Sequence, residues 1–216
     1  MDYKDVLKSD YFNETYAKIE ELKKDFYVNH GFVHVDGVIN NAKYLADVFN
    51  LDSNQRRLLL IASALHDIGY LLGREGHAKN GSALAGEYLK GKLDDADVGV
   101  VARAIASHGG KLDEDYLCPV SMCLILADKL DFCKNRYTDD GKEHSSLPMF
   151  LSIEKILLTK QDDSNLVLEI YTTNKGLFED LENNYFFQKL FEVFRKLERV
   201  WGYKTELRVL DWECGV

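Results

Sequence analysis

The stretch Leu65-His66-Asp67-Ile68-Gly69-Tyr70 constrains this chain more than any other. It closes an apolar, Ala-rich run from Leu58 to Leu65 that reads as a helix, and Gly69 stands where a helix C-cap is expected. Adjacent residues on a helix point about 100° apart, so His66 and Asp67 converge only near a helix end or with help from other elements. A neutral imidazole beside a carboxylate suits a divalent transition metal. Two common residue types also meet by chance. The weight therefore falls on whether further donors lie on apolar faces.

They do. His34 opens a predicted helix with the stripe Val38, Ala42, Leu45, Phe49, although a lone His there is more often a core residue than a ligand. Asp52-Ser53 caps the next predicted helix, Gln55 to Ile68. Gly69 to Gly81 reads as a loop that turns helical from His77, where small residues Gly81 and Ala85 permit close backbone approach. A helix from about Asp94 to Ser107 carries Val101, Ala104, Ile105 and, just beyond it, His108 on one stripe. Pro119 starts another, Val120 to about Lys134, with Asp128 between Leu124-Ile125 and Phe132. A buried carboxylate costs several kcal/mol unless it is paired, protonated or bound to a cation.

The other segments organise the fold. Residues 3–28 carry Tyr16, Ile19, Leu22 and Phe26 at helical spacing, and Asn29-His30-Gly31 ends that pattern. Asn135 to Pro148 is polar and turn-rich, which places a boundary between a helical domain, 1–135, and a small α/β extension, 149–216. In the extension Ile153–Lys160 and Leu166–Thr172 read as strands, Phe178–Trp201 as a long amphipathic helix and Lys204–Leu210 as a third strand, in a small antiparallel sheet. The fold class expected is mainly α, a helical bundle with this α/β extension. The formal charge of −9 (27 basic against 36 acidic residues) disfavours binding to duplex nucleic acid. No apolar run approaches the ~20 residues of a membrane span, and Met1-Asp2-Tyr3-Lys4-Asp5 does not open like a signal peptide. Cys118, Cys123, Cys133 and Cys214 form no C-x-x-C pair and read as thiols of a reducing compartment. A cytoplasmic location is expected, with no membrane partner.

In their order, His34, His66-Asp67 and Asp128 resemble the H…HD…D pattern of the HD superfamily of metal-dependent phosphohydrolases. The resemblance covers roughly residues 30–132. His77, in His77-Ala78-Lys79-Asn80-Gly81, and His108, in Ile105-Ala106-Ser107-His108, fit the two further histidines of binuclear members such as the bacterial diadenosine tetraphosphate hydrolases. The run Ala127-Asp128-Lys129-Leu130-Asp131 is similar to the last-ligand helix of the family. The resemblance implies two divalent ions (Fe, Mn, Co, Ni or Zn, with Mg also admissible). One would take His34, His66, Asp67 and Asp128; the other would take His77 and His108, with Asp67 bridging. His30 and His144 read as solvated.

Two departures matter. No Arg follows His34, where the sequence is Val35-Asp36-Gly37, and Tyr70 replaces the Lys that follows H-D-x-G in the signalling-dinucleotide branch. Both argue against a cyclic-dinucleotide phosphodiesterase. Arg74, Lys79 and Lys111 are candidate substrate contacts, and Lys129, Lys134 and Arg136 are further cations nearby. The tail is similar in element order to the segment that follows the HD core in the exopolyphosphatase family. The implied reaction is hydrolysis of a phosphoester or phosphoanhydride, in a nucleotide or other phosphorylated small molecule, by metal-activated hydroxide. His66 and Asp67 would hold the metal and Lys129 would neutralise charge. The same ligand order serves diiron HD oxygenases, and a non-catalytic nucleotide-binding regulatory protein is the third reading. A homodimer is compatible with all of them.

Overall fold

The computed structural model describes residues 1–22, 28–109, 118–131 and 145–213. Helices α1 (Tyr3–Leu7) and α2 (Asp10–Glu21) start on Asp2 and Ser9, whose side chains accept backbone N–H groups of the first turn. Helix α3 (Phe32–Val48) follows. Its first N–H is capped from α2: Glu20 Oε1 accepts from the Phe32 amide at 3.1 Å. Helix α4 (Ser53–Leu65) opens on a reciprocal capping box between Asp52 and Gln55. Every residue from Leu58 to Leu65 is buried, so α4 is the central rod of the bundle rather than a surface helix. Helix α7 (Pro119–Lys129) is its counterpart, with residues 120–128 all buried. Helices α5 (His77–Leu89) and α6 (Asp95–Ser107) pack on each other, and α3, α6 and α7 all pack against α4.

The mainly α architecture expected from the sequence is present, with a small sheet at the C-terminal end. Helix α8 (Leu147–Leu151) takes Pro148 in its first turn, where a missing N–H costs nothing. It occupies the end of the stretch read as turn, most of which lies outside the described residues. Strands β1 (Ile153–Lys160) and β2 (Asn165–Thr172) pair antiparallel through a turn in which Asp162 Oδ1 accepts from the Ser164 and Asn165 amides at 2.7 and 2.9 Å. Helix α9 (Tyr185–Trp201) starts later than expected. Short 3₁₀ turns at Lys175–Phe178 and Leu181–Asn183 precede it. Strand β3 (Lys204–Asp211) pairs with β2 in parallel, which corrects the antiparallel expectation. The reason is the connection: α9 carries the chain back along the sheet, so β3 starts at the same end as β2.

Phe187, Leu190, Val193, Phe194 and Leu197 of α9 join Leu158, Leu166, Leu168 and Ile170 of the sheet in one apolar core with the bundle. Helix α9 packs on α7, and the Tyr44 hydroxyl donates to the Leu158 carbonyl at 2.9 Å, tying α3 to β1. Among the described residues no helix is long and apolar enough to cross a membrane.

Candidate metal centre

Helix α4 ends at His66, and its last carbonyls do the first piece of local work. His66 Nδ1 lies 2.9 Å from the Ser63 carbonyl. A carbonyl only accepts, so Nδ1 carries the proton and the lone pair is on Nε2. The same arrangement recurs at His108, at the C-cap of α6, with Nδ1 2.6 Å from the Ile105 carbonyl. His77, first residue of α5, places Nδ1 2.9 Å from the Arg74 carbonyl. His34, in the first turn of α3, places Nδ1 2.5 Å from Asp131 Oδ2. Four imidazoles on four helices are thereby held in one tautomer, each with an Nε2 lone pair to offer.

These Nε2 atoms converge on Asp67, and they divide between its two oxygens. Oδ1 lies 3.1 Å from His108 Nε2 and 4.0 Å from His77 Nε2. Oδ2 lies 3.2 Å from His66 Nε2 and 3.4 Å from His34 Nε2. Asp128 Oδ1 lies 3.2 Å from His34 Nε2, while its Oδ2 takes Lys129 Nζ at 2.5 Å. His34 Nε2 and His66 Nε2 face each other at 3.1 Å. His34, His66, Asp67, His108 and Asp128 are all buried, and His77 is partly exposed. Lone pairs and carboxylate oxygens facing one another away from water repel unless a cation lies between them. Two donor groups suited to such a cation share this centre, His34–His66–Asp128 and Asp67–His77–His108. Imidazole nitrogen with carboxylate oxygen is a donor set that fits a divalent transition metal.

Charge within the centre is consistent with that. Burial alone would raise the Asp67 carboxyl, but with no metal bound a second proton on the rings stands in for the cation, and positive charge on His66 and His30 with hydrogen bonds from His108 and His30 holds the carboxyl well below the usual carboxylate range. Burial lowers His77, ahead of the opposing pull of Asp67, which favours the neutral ring that a metal requires. The Tyr16 hydroxyl is pushed well above its ordinary value, first by burial and then by the Asp67 charge.

Glycines explain how α5 gets close enough. Gly69 has no left-handed backbone, so the expected C-cap is not its role. A Cβ there would run into the His77 carbonyl and the Gly81 amide, and a Cβ on Gly81 would lie 3.2 Å from the His66 carbonyl. The segment after Asp67, expected as loop, is a 3₁₀ turn over Ile68–Leu72. Gly73 (φ 105°) and Gly76 (φ 69°) then supply the left-handed backbone that turns the chain into α5.

The HD-domain family model matches residues 31–133. Over these residues the chain is similar to HD domains. No curated protein matches the chain. A solved structure that it resembles is the predicted HD superfamily hydrolase from an uncultured Thermotogales bacterium, at 22% identity and a TM-score of 0.46, covering 65% of this chain and 86% of that one.

Within this stretch the structure brings together all six residues expected as donors: His34, His66, Asp67, His77, His108 and Asp128. Lys129 touches the centre through Asp128. Arg74 and Lys79 are exposed on the turn before α5 and on its first turn, within three residues of His77. Lys111, Lys134, Arg136 and His144 lie outside the described residues.

Three residues were missed. His30, expected to be solvated, places Nδ1 2.7 Å from Asp67 Oδ2 and groups with His34 and Asp67 as a third possible donor set. Asp131, which orients His34, stands three residues after Asp128, one helical turn on. Tyr70, noted only as a departure, is stacked between His30 and His77.

Proposed function

We propose that this HD domain is the catalytic core of a metal-dependent phosphohydrolase that cleaves a phosphoester or phosphoanhydride bond of a nucleotide or other phosphorylated small molecule. The observation that carries the reading is the division of Asp67, Oδ2 toward His34 and His66 and Oδ1 toward His77 and His108. A carboxylate presented in that way to two donor groups is suited to bridge two divalent ions. Such ions, when bound, lower the pKa of water and neutralise phosphate oxygens.

The chain's own residues supply the rest. Asp131 and the Ser63, Ile105 and Arg74 carbonyls keep the histidines in the tautomer that ligates. Lys129, paired with Asp128 Oδ2, fixes that carboxylate so that Oδ1 points inward, and it adds a positive charge at the edge of the centre. Arg74 and Lys79 make no ion pair among the described residues and are assigned to substrate phosphate. An acidic chain that binds anions needs such local positive potential.

The test is phosphate release from a panel of nucleotides and phosphomonoesters, with Mn²⁺, Co²⁺, Fe²⁺, Ni²⁺, Zn²⁺ or Mg²⁺ added to metal-free protein. Turnover that needs metal and disappears in Asp67→Ala supports the reading. Dioxygen uptake with an uncharged substrate and no phosphate release would replace it with the oxygenase.

A further inference from the structure

Tyr70 is nearly buried, and both faces of its ring are covered by imidazoles. The His30 ring stacks on one face, with centroids 3.9 Å apart and planes 22° apart. The His77 ring stacks on the other, at 4.2 Å and 25°. The column stands beside Asp67 because Tyr70 is in the turn that carries Asp67: the Tyr70 amide donates to the Asp67 carbonyl at 3.0 Å. Its two ends reach the two oxygens of that carboxylate, His30 Nδ1 at Oδ2 and His77 Nε2 on the side of Oδ1.

A ring sandwiched in this way has no face left for a nucleobase, so it is not a stacking platform for substrate. Its effect falls on the histidines. His77 sits at the N-terminus of α5 and is the most exposed of the four carbonyl- or carboxylate-anchored imidazoles; its backbone hydrogen bond to Arg74 fixes the tautomer but leaves the ring free to tilt about that bond. The stack removes the tilt. We propose that Tyr70 is a positioning residue that, through the His30–Tyr70–His77 column, holds His77 at the distance from Asp67 needed to complete the second donor group. The proposal rests on the two-ion reading above.

Titration of metal-free protein with Co²⁺, followed by calorimetry and by the visible absorbance of the bound ion, tests it in wild type, Tyr70→Phe and Tyr70→Leu. Wild type and Tyr70→Phe, which keeps the ring, should each bind two equivalents with matching affinities. In Tyr70→Leu, which keeps bulk without the ring, the first equivalent should be unchanged and the second weakened about 10–100-fold, the usual cost of losing a group that orients a ligand. Thermal unfolding of the metal-free proteins checks that Tyr70→Leu is folded. Tyr70→Leu binding both ions as wild type does would overturn the proposal. So would equal weakening of both ions, which marks a general packing defect, or a Tyr70→Phe that behaves like Tyr70→Leu, which assigns the effect to the hydroxyl. A wild type that binds one equivalent only would overturn the two-ion reading itself, and the positioning role with it.

Discussion

His34 and His66 face each other Nε2 to Nε2 at 3.1 Å, in a part of the bundle where both side chains are fully buried. Each has its proton on the far nitrogen, against Asp131 and the Ser63 carbonyl respectively. As neutral rings neither has a hydrogen to share with the other, so the pair is favourable only with a cation, a proton or a metal ion, at the junction. Metal binding should therefore be coupled to stability. At metal a thousandfold above Kd the folded state gains ~4 kcal/mol, which for a chain of this size is roughly 8–16 °C in Tm. Calorimetric scans with and without chelator measure this, and an unchanged Tm would show that the facing pair is not a metal site.

Asp131 should act through His34. Asp131→Asn keeps an acceptor for Nδ1 but removes the charge, and metal affinity should fall about 10–100-fold with the fold intact. Gly37→Ala should give a similar loss by another route, since a Cβ at Gly37 would run into the Asp131 carboxylate. Calorimetric metal titration of both variants checks the link. Wild-type affinity in both would reduce Asp131 to a buried polar residue.

Gly69→Ala should be among the more damaging small substitutions in the chain. The added methyl meets backbone, the His77 carbonyl and the Gly81 amide, which cannot rotate away. An overpacking cost of about 1–3 kcal/mol is expected, together with loss of whatever His77 contributes to metal binding. Denaturant unfolding and metal titration on the same variant separate the two effects. Unchanged stability would mean that α5 does not pack on this turn.

Acid should act on the metal-free protein through Asp67. Its folded pKa is depressed, so the stability it contributes is fully present above its unfolded value of ~3.9 and is lost as pH falls through the folded value. The stability difference between wild type and Asp67→Asn should be level at pH 5–6 and shrink below about pH 4. Denaturant unfolding at stepped pH measures it, and a difference that does not change with pH would contradict the depressed carboxyl.

His77 stands first in its helix and was singled out by the resemblance, and Asp67 by its place beside His66. The bundle was legible from its apolar stripes, and His34, His108 and Asp128 because each lies on a stripe that fixes which way it faces. His34 with Val38 and Leu45, and His108 with Val101 and Ile105, are examples. What was not legible depends on contacts between elements. His30 lies outside any helix, so no periodicity marks its direction. It reaches Asp67 because Gly31 and the Glu20 cap fix where α3 starts. Gly69 was read by its position in the chain, as a C-cap, when its cause is a neighbouring backbone that only the folded bundle brings near. The direction of β3 could have been read from its order after α9, because a strand–helix–strand crossover returns parallel. The start of α9 was misplaced because Leu181 continues the helical spacing, while Asn183-Asn184 interrupts it and Asn184 Oδ1 accepts from the Phe187 amide at 3.4 Å.

The central claim is that Asp67 bridges two donor groups that each hold a divalent ion. Elemental analysis of the metal-saturated chain, after free metal is removed, tests it most directly in wild type, His77→Ala and Asp128→Asn. The account predicts two ions per chain in wild type, one in His77→Ala, and a sharp loss from the His34–His66 group in Asp128→Asn. One ion or none in the wild-type chain, or two retained in His77→Ala, would contradict it.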